Sequence, residues 1–315
     1  MQALRLTSTG IQFITDAPTP EPSGREIRIR VTCAGICETD LQLMQGYMGF
    51  HGMLGHEFVG VAENGRYAGQ RVVGEINSAC HACDLCKASL ETHCTHRTVL
   101  GILGRDGAFA DYLLLPEENL HPVPDALDDR IAVFTEPLAA AFQIGVQVPD
   151  LAGKSILVLG DGRLGNLCAQ VLHWQQGRVE VIGKHPDKLR LLQNRNIPTS
   201  LLSEVQPEKR FDIVVDATGH PSGFETALQF LKSRGTLVLK TTVAAKPPLH
   251  LAPLVIDEIT VVGSRCGPFA PALQALAQGV IETQSLIADI RPLREGVQAL
   301  HDVASRRTLK TLLIP

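Results

Sequence analysis

Four of the chain's eight cysteines, Cys80, Cys83, Cys86 and Cys94, fall within the stretch SACHACDLCKASLETHC. Their C-x2-C-x2-C-x7-C spacing gathers four soft donors in one short loop. Four thiolates suit tetrahedral Zn²⁺ and leave no coordination position for water, so such a site is closed and structural. Iron–sulfur ligation also uses four cysteines, and the spacing alone does not exclude it. Free thiols and a disulfide pair are the plainer alternatives. His81, His93 and His96 lie nearby and read as loop residues, because four thiolates already complete a tetrahedron.

A second group of residues points to a phosphate ligand. In LVLGDGRLG, Gly160, Gly162 and Gly165 form a G-x-G-x-x-G array, with Arg163 and Leu164 inside it. The array follows an apolar strand pattern and opens a helical one, the context that gives such glycines meaning. Gly160 serves the tight turn, Gly162 allows approach to a pyrophosphate, and Gly165 allows close helix packing. The next strand pattern ends in VEVIGKHPDK. An NAD-binding chain usually carries an acid there for the ribose 2′-hydroxyl. Here the position holds Gly183, followed by Lys184 and His185. Space and positive charge favour NADP(H) over NAD(H). Three further segments, CAGICETDLQL, LGHEFVG and FTEPLAAA, supply Cys37, His56-Glu57 and Glu136. Singly these are weak signals: a buried thiol, or a helix-start carboxylate stabilised by the dipole.

The elements that must position these groups fall into two classes. The first third has short apolar runs broken by Gly and Pro, such as EIRIRVTCAG and GQRVVGEI, and reads as a twisted β-rich unit. From DDRIAVFTEPLAAAFQIGVQV, with its acidic helix start, the pattern changes. SILVLG, RVEVIG, FDIVVDATG, GTLVLK and EITVVGS alternate with the helical patterns RLGNLCAQVLHWQ, PDKLRLLQNR and GFETALQFLKS. That alternation implies a parallel sheet covered by helices. The segment after about Cys266 holds two helical patterns and a closing strand, TLKTLLIP, too little for a domain of its own. A net charge of −4 disfavours nucleic acid as a partner. No apolar run approaches a membrane span, and the N-terminus lacks signal-peptide order. A cytoplasmic protein is expected, and in a reducing compartment clustered cysteines favour a metal.

In their order, GICETD, GHEFVG, the four-cysteine lobe, TEPLA, GDGRLG and DATG resemble the zinc-containing medium-chain dehydrogenases/reductases, which include alcohol, sorbitol, glucose and threonine dehydrogenases. The resemblance covers nearly the whole chain. It implies an α/β protein with a GroES-like β-rich catalytic domain, residues 1–139 and 266–315, whose structural zinc lobe spans about 78–97. A doubly wound Rossmann domain would occupy residues 140–265. It further implies two zinc ions per chain and a homodimer or homotetramer. Cys37 and His56 would be catalytic zinc ligands, with Glu57 or Glu136 completing the set. Counting charge, Zn²⁺ with one thiolate, neutral His56 and one carboxylate is neutral. A second carboxylate would weaken the Lewis acid, so both glutamates are not expected to ligate firmly beside an alkoxide. Thr39 takes the family's proton-relay position, with helix capping as its plainer role. Thr218 of DATG and Lys310 would face the cofactor, Lys310 as a point charge for the pyrophosphate.

Several residues depart from the common pattern. Glu38 stands where a small or basic residue is usual and would weaken cofactor binding. His51 reads as an exposed loop residue, and Cys33, Cys168 and Cys266 as small hydrophobes. The expected reaction is hydride transfer between an alcohol or polyol, or the matching carbonyl, and the nicotinamide. Alternatives are a zinc-independent quinone or enoyl reductase of the same fold, a non-catalytic NADP- and zinc-binding protein, and a zinc-ribbon nucleic-acid binder.

Overall fold

The computed structural model describes residues 1–242, 248–306 and 308–315. They pack as two compact units, Met1–Glu136 with Phe269–Pro315, and Pro137–Pro268.

The first unit is built on the strand Glu26–Gly35. Buried residues alternate along its first half, and from Cys33 to Gly35 every position is buried. An alternating strand has one wet face; a fully buried stretch has been covered on both. Four strands pair with it or follow in order: Tyr112–Pro116, Glu57–Ala62, Arg71–Gly74 and Leu120–Pro122, all antiparallel. The other side of its end is taken by the C-terminal strand Lys310–Ile314, with Leu312 opposite Gly35 and Leu313 opposite Ala34. The tail thus becomes part of the first unit's main sheet. A separate small sheet, Asn77–Ser78, Thr98–Leu100 and Gly104–Arg105, brackets the cysteine lobe.

The second unit is a six-stranded parallel sheet. Its spatial order is Thr199–Leu201, Arg178–Gly183, Ser155–Leu159, Phe211–Asp216, Leu231–Leu239, Thr260–Gly263. That is the doubly wound dinucleotide order, with the first strand in the middle. Leu157, Leu159, Ile182, Phe211, Val214, Phe230 and Leu237 form its core. Central strands buried on both faces explain why their sequences read as unbroken apolar runs.

Two helical patterns end sooner than the sequence suggests. The acidic-start pattern divides into Asp129–Ala132 and Thr135–Gln147. The helix Gly223–Leu228 stops before Leu231, where a strand begins. Phe230 and Leu231 are buried in the sheet core, and that burial outweighs the helical spacing of their neighbours.

At the glycine turn, Gly160 has φ +119°, and a Cβ there would lie 2.6 Å from the Ala217 carbonyl oxygen. A Cβ at Gly165 would collide with the Gly160 carbonyl oxygen, so the helix Arg163–Trp174 can start this close to its strand only with glycine there. Gly165→Ala is expected to cost about 1–3 kcal/mol through overpacking, read as a lower urea midpoint; an unchanged midpoint would show that the turn relaxes freely.

Candidate functional site

The Sγ atoms of the cysteine lobe lie at Cys80–Cys94 3.5 Å, Cys83–Cys86 3.5 Å, Cys83–Cys94 3.8 Å and Cys80–Cys86 4.0 Å. A tetrahedron with Zn–S bonds of about 2.3 Å has edges of about 3.8 Å. A disulfide needs about 2.05 Å, and all four thiols are free. A multi-iron cluster would hold the sulfurs farther apart, so the spacing suits a single ion. Backbone N–H groups of Ala82 and Cys83 point at Cys80 Sγ, and those of Cys80 and His96 at Cys94 Sγ. Backbone donors from Cys86 and Thr95 bring the Cys83 thiol down to about 5, and the Ala82 N–H helps bring Cys80 to about 7. Burial pushes Cys86 up to about 12. His96 Nδ1 stands 3.9 Å from Cys80 Sγ, outside the sulfur set. His81 faces Glu118 at 3.3 Å.

The second group of potential metal donors comprises Cys37, His56 and Glu57, whose ligand atoms lie within 4.8 Å of one another. Cys37 caps the helix Glu38–Met44 in extended conformation. Its backbone N–H donates to Asp40 Oδ2 at 2.8 Å. Asp40 Oδ1 accepts from Gly55 N–H at 3.2 Å and lies 3.3 Å from His56 Nδ1. Fully buried Asp40 therefore ties the Cys37 turn to the His56 loop. Its only hint in the sequence is its place three residues after the N-cap, where acids often reach back to the cap N–H. His56 Nδ1 makes no well-aligned hydrogen bond among the described residues, and the group it faces is this Asp40 carboxylate. Burial opposes a charge on His56, but Asp40 and Cys37 outweigh it and hold the imidazole well above its ordinary range. A thiol, an imidazole and a carboxylate converging, with the Asp40 carboxylate on the Nδ1 side of the imidazole, form a donor set that fits zinc.

Glu57 does not stand alone. Its Oε2 is ion-paired with the Lys310 ammonium, and both side chains are 1% exposed. Lys310 Nζ also donates to the Ile36 carbonyl at 3.3 Å and lies 5.4 Å from the Phe134 ring centre. This corrects the reading of Lys310 as a point charge for a pyrophosphate. A buried carboxylate requires a counter-charge, and Lys310 is already committed to that. Glu136 lies in the first turn of Thr135–Gln147 and outside the three-residue donor group. Thr39 Oγ1 is 3.9 Å from Cys37 Sγ. Glu38 and His51 are exposed, and Glu38 accepts from Gln42 at 3.2 Å. Cys33 and Cys168 are buried, with thiols pushed up by burial to about 12 and about 11. Cys266 is only partly buried.

In the second unit, Gly162 has φ −72°, which any residue adopts, and among the described residues no atom beyond its chain neighbours lies within 4 Å of the Cβ it lacks. The fold itself makes no demand for glycine there, whereas a closely approaching ligand would. This open cradle at a helix start fits a dinucleotide pyrophosphate. Arg163 and Leu164 form the first turn of that helix, half-buried. Thr218 turns inward: its N–H and Oγ1 donate to Asp216 Oδ1 at 3.0 and 2.8 Å. At the neighbouring strand end, the room expected beside Gly183 is filled. A Cβ on Gly183 would lie 2.6 Å from Asp161 Cβ and 2.7 Å from its Cγ. The premise for NADP(H), open space at Gly183, therefore does not hold.

The chain matches the family described as alcohol dehydrogenase GroES-like domain over residues 23–125. It matches that described as zinc-binding dehydrogenase over residues 164–282. It is 29% identical to a sorbitol dehydrogenase of Halalkalibacterium halodurans, covering 100% of this chain and 99% of the relative. It is also 29% identical to an L-threonine 3-dehydrogenase of Streptomyces avermitilis, over 96% and 95% of the two chains. A zinc-binding dehydrogenase from Sinorhizobium meliloti, solved bound to NADP, superposes with TM-score 0.90 at 27% identity, covering 100% and 99%.

Removing Lys310 would strand a buried carboxylate. Lys310→Met is expected to destabilise by about 3–5 kcal/mol, and adding Glu57→Gln should restore most of that. Urea unfolding of the single and double variants measures it; equal losses in both would mean the pair contributes nothing.

Proposed function

The chain belongs to the zinc-containing medium-chain dehydrogenases/reductases, and we propose that Cys37, His56 and one carboxylate hold a catalytic zinc at which an alcohol or polyol is oxidised, or its carbonyl reduced. The observation that carries this is the convergence of Cys37, His56 and Glu57 donor atoms within 4.8 Å of one another, on a buried imidazole whose Nδ1 faces the Asp40 carboxylate. A second, structural zinc would sit among Cys80, Cys83, Cys86 and Cys94.

When bound, the zinc supplies Lewis acidity that favours loss of the substrate's hydroxyl proton, and the nicotinamide accepts the hydride. The chain's own residues prepare both. Asp40 holds the Cys37 turn and the His56 loop in register. Thr39, beside Cys37, has a hydroxyl that can accept the departing proton and donate its own. Lys310 neutralises Glu57. With Glu57 so paired, Glu57 and Glu136 are not both firm ligands when an alkoxide is bound, since a second carboxylate would weaken the Lewis acid. A substrate complex with both glutamates within bonding distance of the metal would contradict this assignment. At the cofactor, Gly162 and the helix start behind it receive the pyrophosphate.

The donor group in the first unit disfavours the zinc-independent reductase reading, because such chains have no use for it. A non-catalytic role is disfavoured by Thr39 beside the metal ligands. Free, clustered cysteines suit a reducing compartment such as the cytoplasm, and no helix among the described residues is long and apolar enough to cross a membrane. Among the described residues Thr260–Gly263 is an edge strand of the parallel sheet, with Val261 exposed, which supports a homodimer or homotetramer.

Elemental analysis should find two zinc ions per chain, and Cys37→Ser should keep one of them. Cofactor turnover over a panel of polyols and simple alcohols should fall about a thousandfold or more in that variant, since Lewis acidity contributes several kcal/mol. A single ion per parent chain, or full turnover in the variant, would refute the reading. Thr39→Val should lower kcat about a hundredfold while leaving the zinc count unchanged; an unaltered kcat would return Thr39 to a capping role.

A further inference from the structure

In a doubly wound sheet, the acid that reads the ribose 2′-hydroxyl normally extends from the end of the second strand, about twenty residues beyond the glycine array. In this chain that strand, Arg178–Gly183, ends in a residue with no side chain. The carboxylate arrives from the array itself. Asp161, between Gly160 and Gly162, is 6% exposed and reaches across to the strand end. Its Oδ2 accepts from the backbone N–H groups of Lys184 and His185, each at 2.6 Å. Its Oδ1 lies 2.9 Å from His185 Nδ1. The steric relation with Gly183 is exclusive: the space holds a side chain from position 183 or the one from Asp161, not both.

Two consequences follow for a dinucleotide. A carboxylate accepts hydrogen bonds and can take a hydroxyl proton donor, but it repels a phosphate. The two backbone N–H groups that open the helix Pro186–Gln193 could otherwise meet a phosphate, and they are already bound to Asp161. Lys184 opposes this, but its side chain is exposed and its charge is screened by water and salt. The Asp161 carboxylate is buried and screened far less. We propose that Asp161 is the residue by which this chain rejects the 2′-phosphate and selects NAD(H), taking over from inside the glycine array the task usually given to the strand end. The inference rests on the dehydrogenase reading and refines its cofactor. Asp161 also fastens the glycine loop to the following helix, and a purely structural role would change stability without changing the ratio of the two affinities.

Calorimetric titration of the zinc-loaded full-length chain with NAD+ and NADP+ tests it. The parent should bind NAD+ at least about tenfold more tightly than NADP+. Asp161→Asn keeps the shape and an acceptor oxygen for the two N–H groups but removes the charge. It should gain about tenfold for NADP+, whereas Lys184→Ala should leave the parent preference in place. Parent preference for NADP+, or an unchanged ratio in Asp161→Asn, would overturn the proposal. Should that variant not fold, 5′-AMP against 2′,5′-ADP on the parent decides: weaker binding of the bisphosphate supports the proposal, and equal or tighter binding overturns it. A parent that binds neither dinucleotide would instead overturn the dehydrogenase reading, and this inference with it.

Discussion

The buried ion pair between Glu57 and Lys310 constrains the register of the first unit's main sheet. Glu57 begins one strand, directly opposite Gly35 on the central strand. Lys310 begins the C-terminal strand on that central strand's other side. The side chains meet over Gly35, where a Cβ would lie 3.2 Å from Lys310 Nζ and 3.5 Å from Glu57 Cβ. Three strands are thus joined over one bare backbone position. A slip of one residue would turn either side chain to the opposite face and leave a buried charge alone, at a cost of several kcal/mol. The sheet register and the place of the metal donors are therefore set together. The C-terminal segment thus gives the first unit both a strand of its main sheet and the counter-charge of buried Glu57.

What was legible in the sequence was what the chain arranges locally. Four cysteines within one short loop report their own geometry, because few arrangements of so short a loop keep their sulfurs apart. Strands and helices of the parallel sheet announce themselves by period and by glycine, and the tail's closing strand by its apolar run. What was not legible depends on partners far along the chain. The counter-charge of Glu57 lies 253 residues away, and no local pattern marks Lys310 for that task. Asp40 looks like an ordinary helix-start acid until the Gly55 and His56 loop folds onto it. Gly183 looks like open room until Asp161 crosses from the preceding loop. The helix pattern at Gly223–Leu228 misleads for the same reason, since burial of Phe230 and Leu231 is decided by the sheet and not by spacing.

A common device recurs at both candidate sites. Asp40, Glu57, Asp161 and Asp216 are buried acids, and each stands at or beside a turn that must hold one shape. Asp216 accepts from Thr218 N–H, Thr218 Oγ1 and Thr241 Oγ1 at 2.8–3.0 Å, joining the loops after two adjacent parallel strands. Asp161 does the same for the glycine turn and the next helix. Loops that carry function are ordinarily the mobile part of a fold. A buried carboxylate opposes that mobility, because opening the loop would strip a charge of its donors.

This places the rigidity where hydride transfer needs it. Transfer between two bound partners depends on holding the reacting atoms close and aligned, and small displacements are costly in rate. The carboxyl ends of the parallel strands are where such folds receive their dinucleotide, and there Asp161 and Asp216 fasten the backbone before any ligand arrives. In the first unit Asp40 and Lys310 do likewise for Cys37, His56 and Glu57. An acid used as a fastener also retains its charge. At a metal site that charge must be cancelled, as Lys310 does, or the Lewis acid weakens. At a nucleotide site it is held by backbone N–H groups and an imidazole instead of an ammonium, and becomes a filter on the ligand's own charge. One physical requirement, that a buried anion be matched by donors, thus yields a neutralised carboxylate in one unit and a discriminating one in the other.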